Sequence, residues 1–192
     1  MRPDLLTEEQ PPERLDLGDG DTLITISATE PAMLFELIER NREHLRDWLP
    51  WVDRSRETSE SEAFISLCGE EIRDGRGVHY AIWSSAELSG VVSLHVNRAH
   101  RTASAGVWLA AARQGRGLAT RALRVLCDYG IKVMGLARVE YAAATENTAS
   151  RALADRSGFT FEGVLRNREF INGRHVDHAV YSRISPGRDD RP

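Results

Sequence analysis

Apolar positions along this chain change their spacing several times, and each change marks an element. The β-branched run "DTLITIS" (Asp21–Ser27) reads as a strand. Helical spacing follows: Leu34, Phe35, Leu37 and Ile38 form one stripe, with Thr29 as the expected cap and an end near Asn41. A short second helix carries "EHLRDW" and stops before Pro50. Ser59 with Glu62 is the pattern of a capping box for a helix holding Phe64, Leu67, Cys68 and Ile72, ended by Gly75 and Gly77. "VHYAIWS" and "LSGVVSLHV" then read as a hairpin, and "ASAGVWLA" as a further antiparallel strand. A helix from about Leu118 to Met134 follows a glycine loop; Gly130 inside it costs about 1 kcal/mol against alanine. "RVEYAAA" is a strand, Asn147 caps a short helix that stops at Gly158, and the turn dipeptide Asn172-Gly173 joins the last two extended runs. Strands, then alternating helices and strands, then a hairpin predict an α+β fold with a mixed, mostly antiparallel sheet flanked by helices.

Composition adds limits. The chain has 192 residues, enough for one domain, which the pattern places at residues 17–185 between flexible tails at 1–16 and 186–192. A net charge of −4 argues against a nucleic-acid partner held on a broad basic face. No apolar run is long enough to span a membrane and no leader pattern precedes the fold, so the expected setting is cytoplasmic. The two cysteines make no framework, and Cys127 reads as a buried helix residue. The six histidines include no HExxH pair, and His175 and His178 flank Asp177 on opposite faces of one strand, so no metal is expected.

The chemistry centres on "RQGRGLATRAL", Arg113–Leu123. Two glycines before a helix let main-chain N–H groups face an anion, where the helix dipole adds positive character. A nucleoside-triphosphate loop needs GKS or GKT; here Leu118 follows Gly117. A dinucleotide fingerprint belongs early in a βαβ unit, whereas this loop follows antiparallel strands. The third form, Gln/Arg-x-x-Gly-x-Gly/Ala, is matched by Gln114, Gly115, Arg116, Gly117, Leu118 and Ala119, with Thr120 next in the first turn.

That form resembles the pyrophosphate loop of the GNAT N-acetyltransferases. "LFELIERNREHLRDWLPWVD", "GVWL", "ENTASRALADRSGFTFEGVLR" and "VDHAVYSRI" extend the resemblance to the RimJ/RimL branch, over about Leu23–Ile184. The branch acetylates N-terminal amines of ribosomal proteins. The resemblance implies a sheet splayed between two strands, acetyl-CoA as co-substrate, and direct transfer in a ternary complex without metal. It implies that main-chain groups at Trp108, Leu109 and Ala110 hold the pantetheine arm. Where many family members have a tyrosine, one turn before the Gly-Phe, this chain has Ala154; the branch pattern Asn-x-x-Ser instead assigns Asn147 and Ser150, with Ser150 as partner of the leaving thiolate. Arg151 is expected at the nucleotide phosphate of CoA. Ser104 and Val107 stand where the family often has glutamate and tyrosine, which leaves His95 as the candidate base. Trp48, Trp51 and His44 are expected to wall the acceptor cleft, with Glu43, Asp47, Asp53 and Glu57 near a basic peptide.

The acceptor is thus expected to be a protein N-terminus. At pH 7 roughly one sixth of α-amines are neutral, against a few per ten thousand lysines, so a weak base suffices. A small amine such as a polyamine or aminoglycoside, another acyl group such as succinyl, or a CoA-binding sensor without turnover remain open, as does a homo-oligomer.

Overall fold

The apolar alternation of Leu15 and Leu17, too short to signal a strand by itself, opens the sheet. A computed structural model of the chain describes residues 10–186, so the tail expectations for 1–9 and 187–192 lie outside the described residues. β1 (Arg14–Gly18) pairs antiparallel with β2 (Asp21–Thr25), which puts Arg14–Asp16 in the sheet rather than in a tail. The Tyr80 hydroxyl donates to the Pro12 carbonyl at 2.7 Å and ties down the residues before it.

After α1 (Pro31–Arg40) and α2 (Arg42–Arg46), a 3-10 turn (Pro50–Arg54) leads to α3 (Thr58–Arg73). Two caps differ from the sequence reading. Glu30 precedes α1, with Pro31 supplying the fixed φ of the first turn, and Thr29 instead closes the 3-10 turn at Ile26–Ala28, its N–H donating to Ile26 O at 2.9 Å. The capping box of α3 is Glu57 with Glu60. β3 (Gly77–Ser84), β4 (Glu87–Asn97) and β5 (Thr102–Leu109) form a meander. α4 (Leu118–Lys132), β6 (Arg138–Ala144), α5 (Thr148–Arg156), β7 (Thr160–Ile171) and β8 (Arg174–Ile184) complete the chain. The eight strands run in the order β1-β2-β3-β4-β5-β6-β8-β7, and only β5 and β6 are parallel. Among the described residues no helix is long and apolar enough to cross a membrane.

The sheet is covered on both faces, because strand alternation sends successive side chains to opposite sides. Val78, Tyr80, Val92, Leu94 and Val139 meet Leu123, Leu126 and Cys127 of α4 on one face. Ala81 and Val91 meet Leu34, Ile38 and Cys68 of α1 and α3 on the other. Each fully buried leucine contributes about 2 kcal/mol by leaving water. Both cysteines are buried and free, and burial pushes each thiol up to about 12, so neither is a nucleophile. Gly130 has a reason for being in a helix: a Cβ there would lie 2.9 Å from methyl carbons of Leu94 and Leu136. Close seating of α4 on the sheet offsets the helix-propensity loss.

The β3–β4 turn holds Ser85 and Ala86 at φ of 52° and 62°, a left-handed conformation that costs an L-residue about 1–2 kcal/mol. Ala86→Gly should therefore raise the denaturation midpoint by roughly 1 kcal/mol equivalent in urea unfolding. An unchanged or lower midpoint would show the turn unstrained.

Candidate active site

The β5–β6 pairing stops at Ala105 and Tyr141. Beyond it, Gly106–Leu109 stay on β4 and Ala142–Ala144 stay on β8. The two parallel strands therefore splay, and main-chain groups that a continuous ladder would consume are left facing a gap. The gap opens into a cleft of about 1190 Å³ lined from six directions: β5, β6, the glycine loop with α4, α5, the α2–3-10 corner, and the β7–β8 hairpin.

At one end lies the loop. Gly115 and Gly117 have φ of 74° and 72°, which a side chain would resist, and a Cβ on Gly115 would meet nothing within 4 Å. The Arg121 N–H is the first to close onto the helix, bonding Gly117 O at 3.0 Å, and no side chain caps α4. The preceding N–H groups are thus presented to the cleft, as an anion site requires. Gln114, Gly115, Gly117, Leu118, Ala119 and Thr120 all line it; Arg116 and Ala110 do not. Ala110 instead donates its N–H to Ser89 O at 2.8 Å and continues the sheet edge.

Arg151 is a correction. Its guanidinium is held by the Tyr181 hydroxyl at 3.1 Å and the Thr145 carbonyl at 3.2 Å, outside the cleft. The cleft's arginines are others: Arg54 at the helix corner, and Arg113, Arg121, Arg124 and Arg156. Arg121 pairs with Asp21, Arg113 with Glu87, and Arg124 donates to the Arg156 carbonyl. Such a group suits several phosphate charges better than one residue would.

Midway, α5 brings in Ser150. The Asn147 side chain caps the helix as expected, accepting from the Ser150 N–H at 3.0 Å. Ser150 Oγ lies 2.8 Å from the Tyr141 hydroxyl. Burial raises the Tyr141 phenol above its ordinary value, despite the Ser150 hydrogen bond, so it stays protonated. A phenol donating to Oγ leaves the serine's own proton free for a third group. Tyr141 escaped the sequence reading because its run, "RVEYAAA", marked it only as part of a strand.

At the far end Trp51 packs against Trp108 with ring planes tilted by 53° and centroids 6.1 Å apart, and both line the cleft. Trp48 does too, closing a small cluster with Ala144, Ile171 and Val176. His44 lines the cleft and its Nε2 accepts from the Gln114 amide at 2.8 Å, while Ala111 donates its N–H to Asn41 Oδ1 at 2.9 Å. These two bridges tie the helix corner to the glycine loop. Of the nearby acidic residues, Asp53 is engaged by Arg46 and Glu57 by its own helix, leaving Glu43 and Asp47 exposed.

His95 is the second correction. It is 57% exposed and absent from the cleft wall; its Nδ1 lies 3.5 Å from Glu71 Oε2 on the α3 face of the sheet. The cleft's titratable pair is Glu169 and His178. His178 Nε2 sits 3.1 Å from Glu169 Oε2, at hydrogen-bond distance but off the bonding direction. A bulge delivers the carboxylate: between Leu165 and Glu169 on β7 the partners on β8 advance only from His178 to Val176. Asn167 holds the bulge with φ of 51° and donates its N–H to Asp177 Oδ1 at 2.8 Å.

A splayed parallel pair beside an uncapped glycine-loop helix, with Ser150 and Glu169 on the same cleft, offers main-chain donors to an anion and two side chains able to handle a proton. Residues 22–160 match the family model of the acetyltransferase (GNAT) domain. The chain belongs to the GNAT acetyltransferase family.

Among relatives of this GNAT acetyltransferase is YdaF of Bacillus subtilis (strain 168), whose name places it provisionally among ribosomal N-acetyltransferases. The two are 34% identical over 164 residues, 83% of this chain and 90% of YdaF. Among solved structures, the microcin C7 self-immunity acetyltransferase MccE, in complex with acetyl-CoA and AMP, superposes with a TM-score of 0.85 at 29% identity. That match covers 91% of this chain and 98% of MccE. RimL, a ribosomal L7/L12 α-N-protein acetyltransferase in complex with coenzyme A, also gives 0.85, at 26% identity over 90% of this chain and 98% of its own. The GNAT fold and the acetyltransferase class expected from the sequence are thereby established.

Proposed function

We propose that this acetyltransferase moves the acetyl group of acetyl-CoA to the N-terminal amine of a ribosomal or other protein, by direct transfer in a ternary complex. The observation that carries the reading is the Glu169–His178 pair, which lines the same cleft as Ser150 and the splayed strands. Relatives named for ribosomal-protein acetylation support the acceptor.

The steps follow from the residues. The glycine-loop N–H groups and the cleft arginines bind the CoA diphosphate and 3′-phosphate. Main-chain donors freed by the splay at Val107 and Leu109, which alternate with the residues bonded to β4, face the thioester carbonyl and stabilise the oxyanion as it forms. Glu169, steadied by His178, takes the proton from the ammonium or from the attacking nitrogen. The amine forms the C–N bond, the C–S bond breaks, and Ser150 Oγ donates its hydrogen bond to the departing thiolate. With an ordinary thiol pKa near 8.5, that leaving group needs only modest help. Trp48, Trp51 and His44 wall the acceptor channel, which stays open to solvent and so admits a chain end.

The test is a panel of acceptors with acetyl-CoA, followed by thiol release and mass spectrometry. Peptides with a free α-amine are expected to be acetylated at that nitrogen. Preference for spermidine or for a lysine side chain would overturn the acceptor assignment. Saturable acetyl-CoA binding with no thiol release toward any amine would overturn transfer itself.

A further inference from the structure

On the sheet face away from α4, three side chains meet that the transfer reaction does not use. Glu71 from the last turns of α3, His79 from β3 and His95 from β4 bring one ligand atom each within 4.8 Å of one another. His79 Nε2 is 2.7 Å from Glu71 Oε2, and His95 Nδ1 is 3.5 Å from the same oxygen. The two rings stand edge to face, with centroids 5.1 Å apart. His79 is 1% exposed, and its Nδ1 is buried without a partner, so the ring is held through Nε2 alone.

The room for this cluster is built into the backbone. Gly77 lies opposite His95 in the β3–β4 register, and a Cβ on it would come 2.4 Å from His79 Nε2 and 2.9 Å from Glu71 Oε2. Its φ is not in the left-handed region, so the glycine is needed here for space rather than for conformation. The other carboxylate oxygen, Oε1, faces the Arg76 guanidinium at 3.7 Å, which orients the carboxylate and leaves Oε2 toward the imidazoles.

We propose that Glu71, His79 and His95 bind one divalent transition-metal ion of the zinc class, through Oε2, Nε2 and Nδ1, with water in a fourth position on the exposed side of His95. Two imidazoles and a carboxylate are a donor set that zinc accepts, and one that calcium and magnesium, which favour all-oxygen shells, do not. Bonds of roughly 2.0–2.1 Å at tetrahedral angles place ligand atoms about 3.3 Å apart. The His95–Glu71 separation already fits; the His79–Glu71 pair opens by about 0.6 Å as the ion replaces the proton between them. The ion would rivet the end of α3 to the β3–β4 hairpin, on the opposite side of β4 from the splayed strands. The expectation that the chain holds no metal rested on local motifs, whereas these three side chains are assembled by the sheet and match none.

The experiment titrates Zn²⁺ into chelator-treated full-length protein, followed by calorimetry in competition with a chromogenic chelator. Co²⁺ provides a second readout, since four-coordinate cobalt absorbs visibly. One equivalent is expected to bind, with tetrahedral cobalt bands and a higher melting temperature. His95→Ala, at an exposed strand end, should remain folded by circular dichroism and lose about 100-fold or more in affinity, the upper end of what losing even an outer partner costs. Glu71→Gln should lose a similar factor. Wild-type affinity no greater than that of His95→Ala, or cobalt spectra unchanged in either variant, would overturn the assignment. Acetyl-CoA binding is independent of both outcomes.

Discussion

Glu169→Gln is expected to lower kcat/KM for a peptide α-amine by about 10²–10³-fold at neutral pH, within the range typical of removing a positioned base. The amide keeps the shape and the contact to His178 but cannot accept the proton. The loss should depend on the nucleophile. An α-amine with a pKa near 7.7 is mostly protonated at pH 7 and needs the carboxylate, whereas a hydrazide, already neutral, needs it far less. Steady-state rates with both acceptors check this. An equal loss for both would mean that Glu169 shapes the cleft and moves no proton.

The second large effect belongs to Ser150. Ser150→Ala should reduce kcat by about 10–10²-fold while leaving acetyl-CoA affinity close to that of the wild type, because the hydroxyl acts on charge that develops only as the C–S bond breaks. The figure sits at the low end for proton-handling groups because a thiolate is a good leaving group. Tyr141→Phe should show a smaller kcat loss of the same kind, since it removes the hydroxyl that orients Oγ and not Oγ itself. Single-turnover rates separate chemistry from product release. A wild-type single-turnover rate in Ser150→Ala would remove serine from the reaction.

These assignments divide by how each residue could be found. The glycine loop, the Asn147 cap and the order of elements from β2 to β8 were legible because they rest on short-range rules: φ requirements, capping chemistry and periodicity. Glu169 was not legible. Strand alternation assumes two residues per repeat, and the bulge at Arg166–Arg168 breaks that count before Glu169 is reached. His95 was misplaced for a related reason: its strand was identified, but the face it occupies is set by which helix covers it, and α3 supplies Glu71 there. Arg151 and the five cleft arginines show the same limit, since proximity along α5 to Ser150 said nothing of Tyr181, which comes from β8 and captures the guanidinium. The capping box of α3 shifted by two residues because Glu57 performs the serine's role equally well.

The seat of α4 at Gly130 has a bearing on the far end of that helix. Where a glycine lets a helix rest directly on strands, the height of the whole rod above the sheet is fixed to within the thickness of a methyl group. The diphosphate cradle at the helix's first turn inherits that height, and with it the depth to which a bound thioester reaches between the parted strands. One absent side chain, well over ten residues from the chemistry, thus acts as the depth stop of the donor substrate.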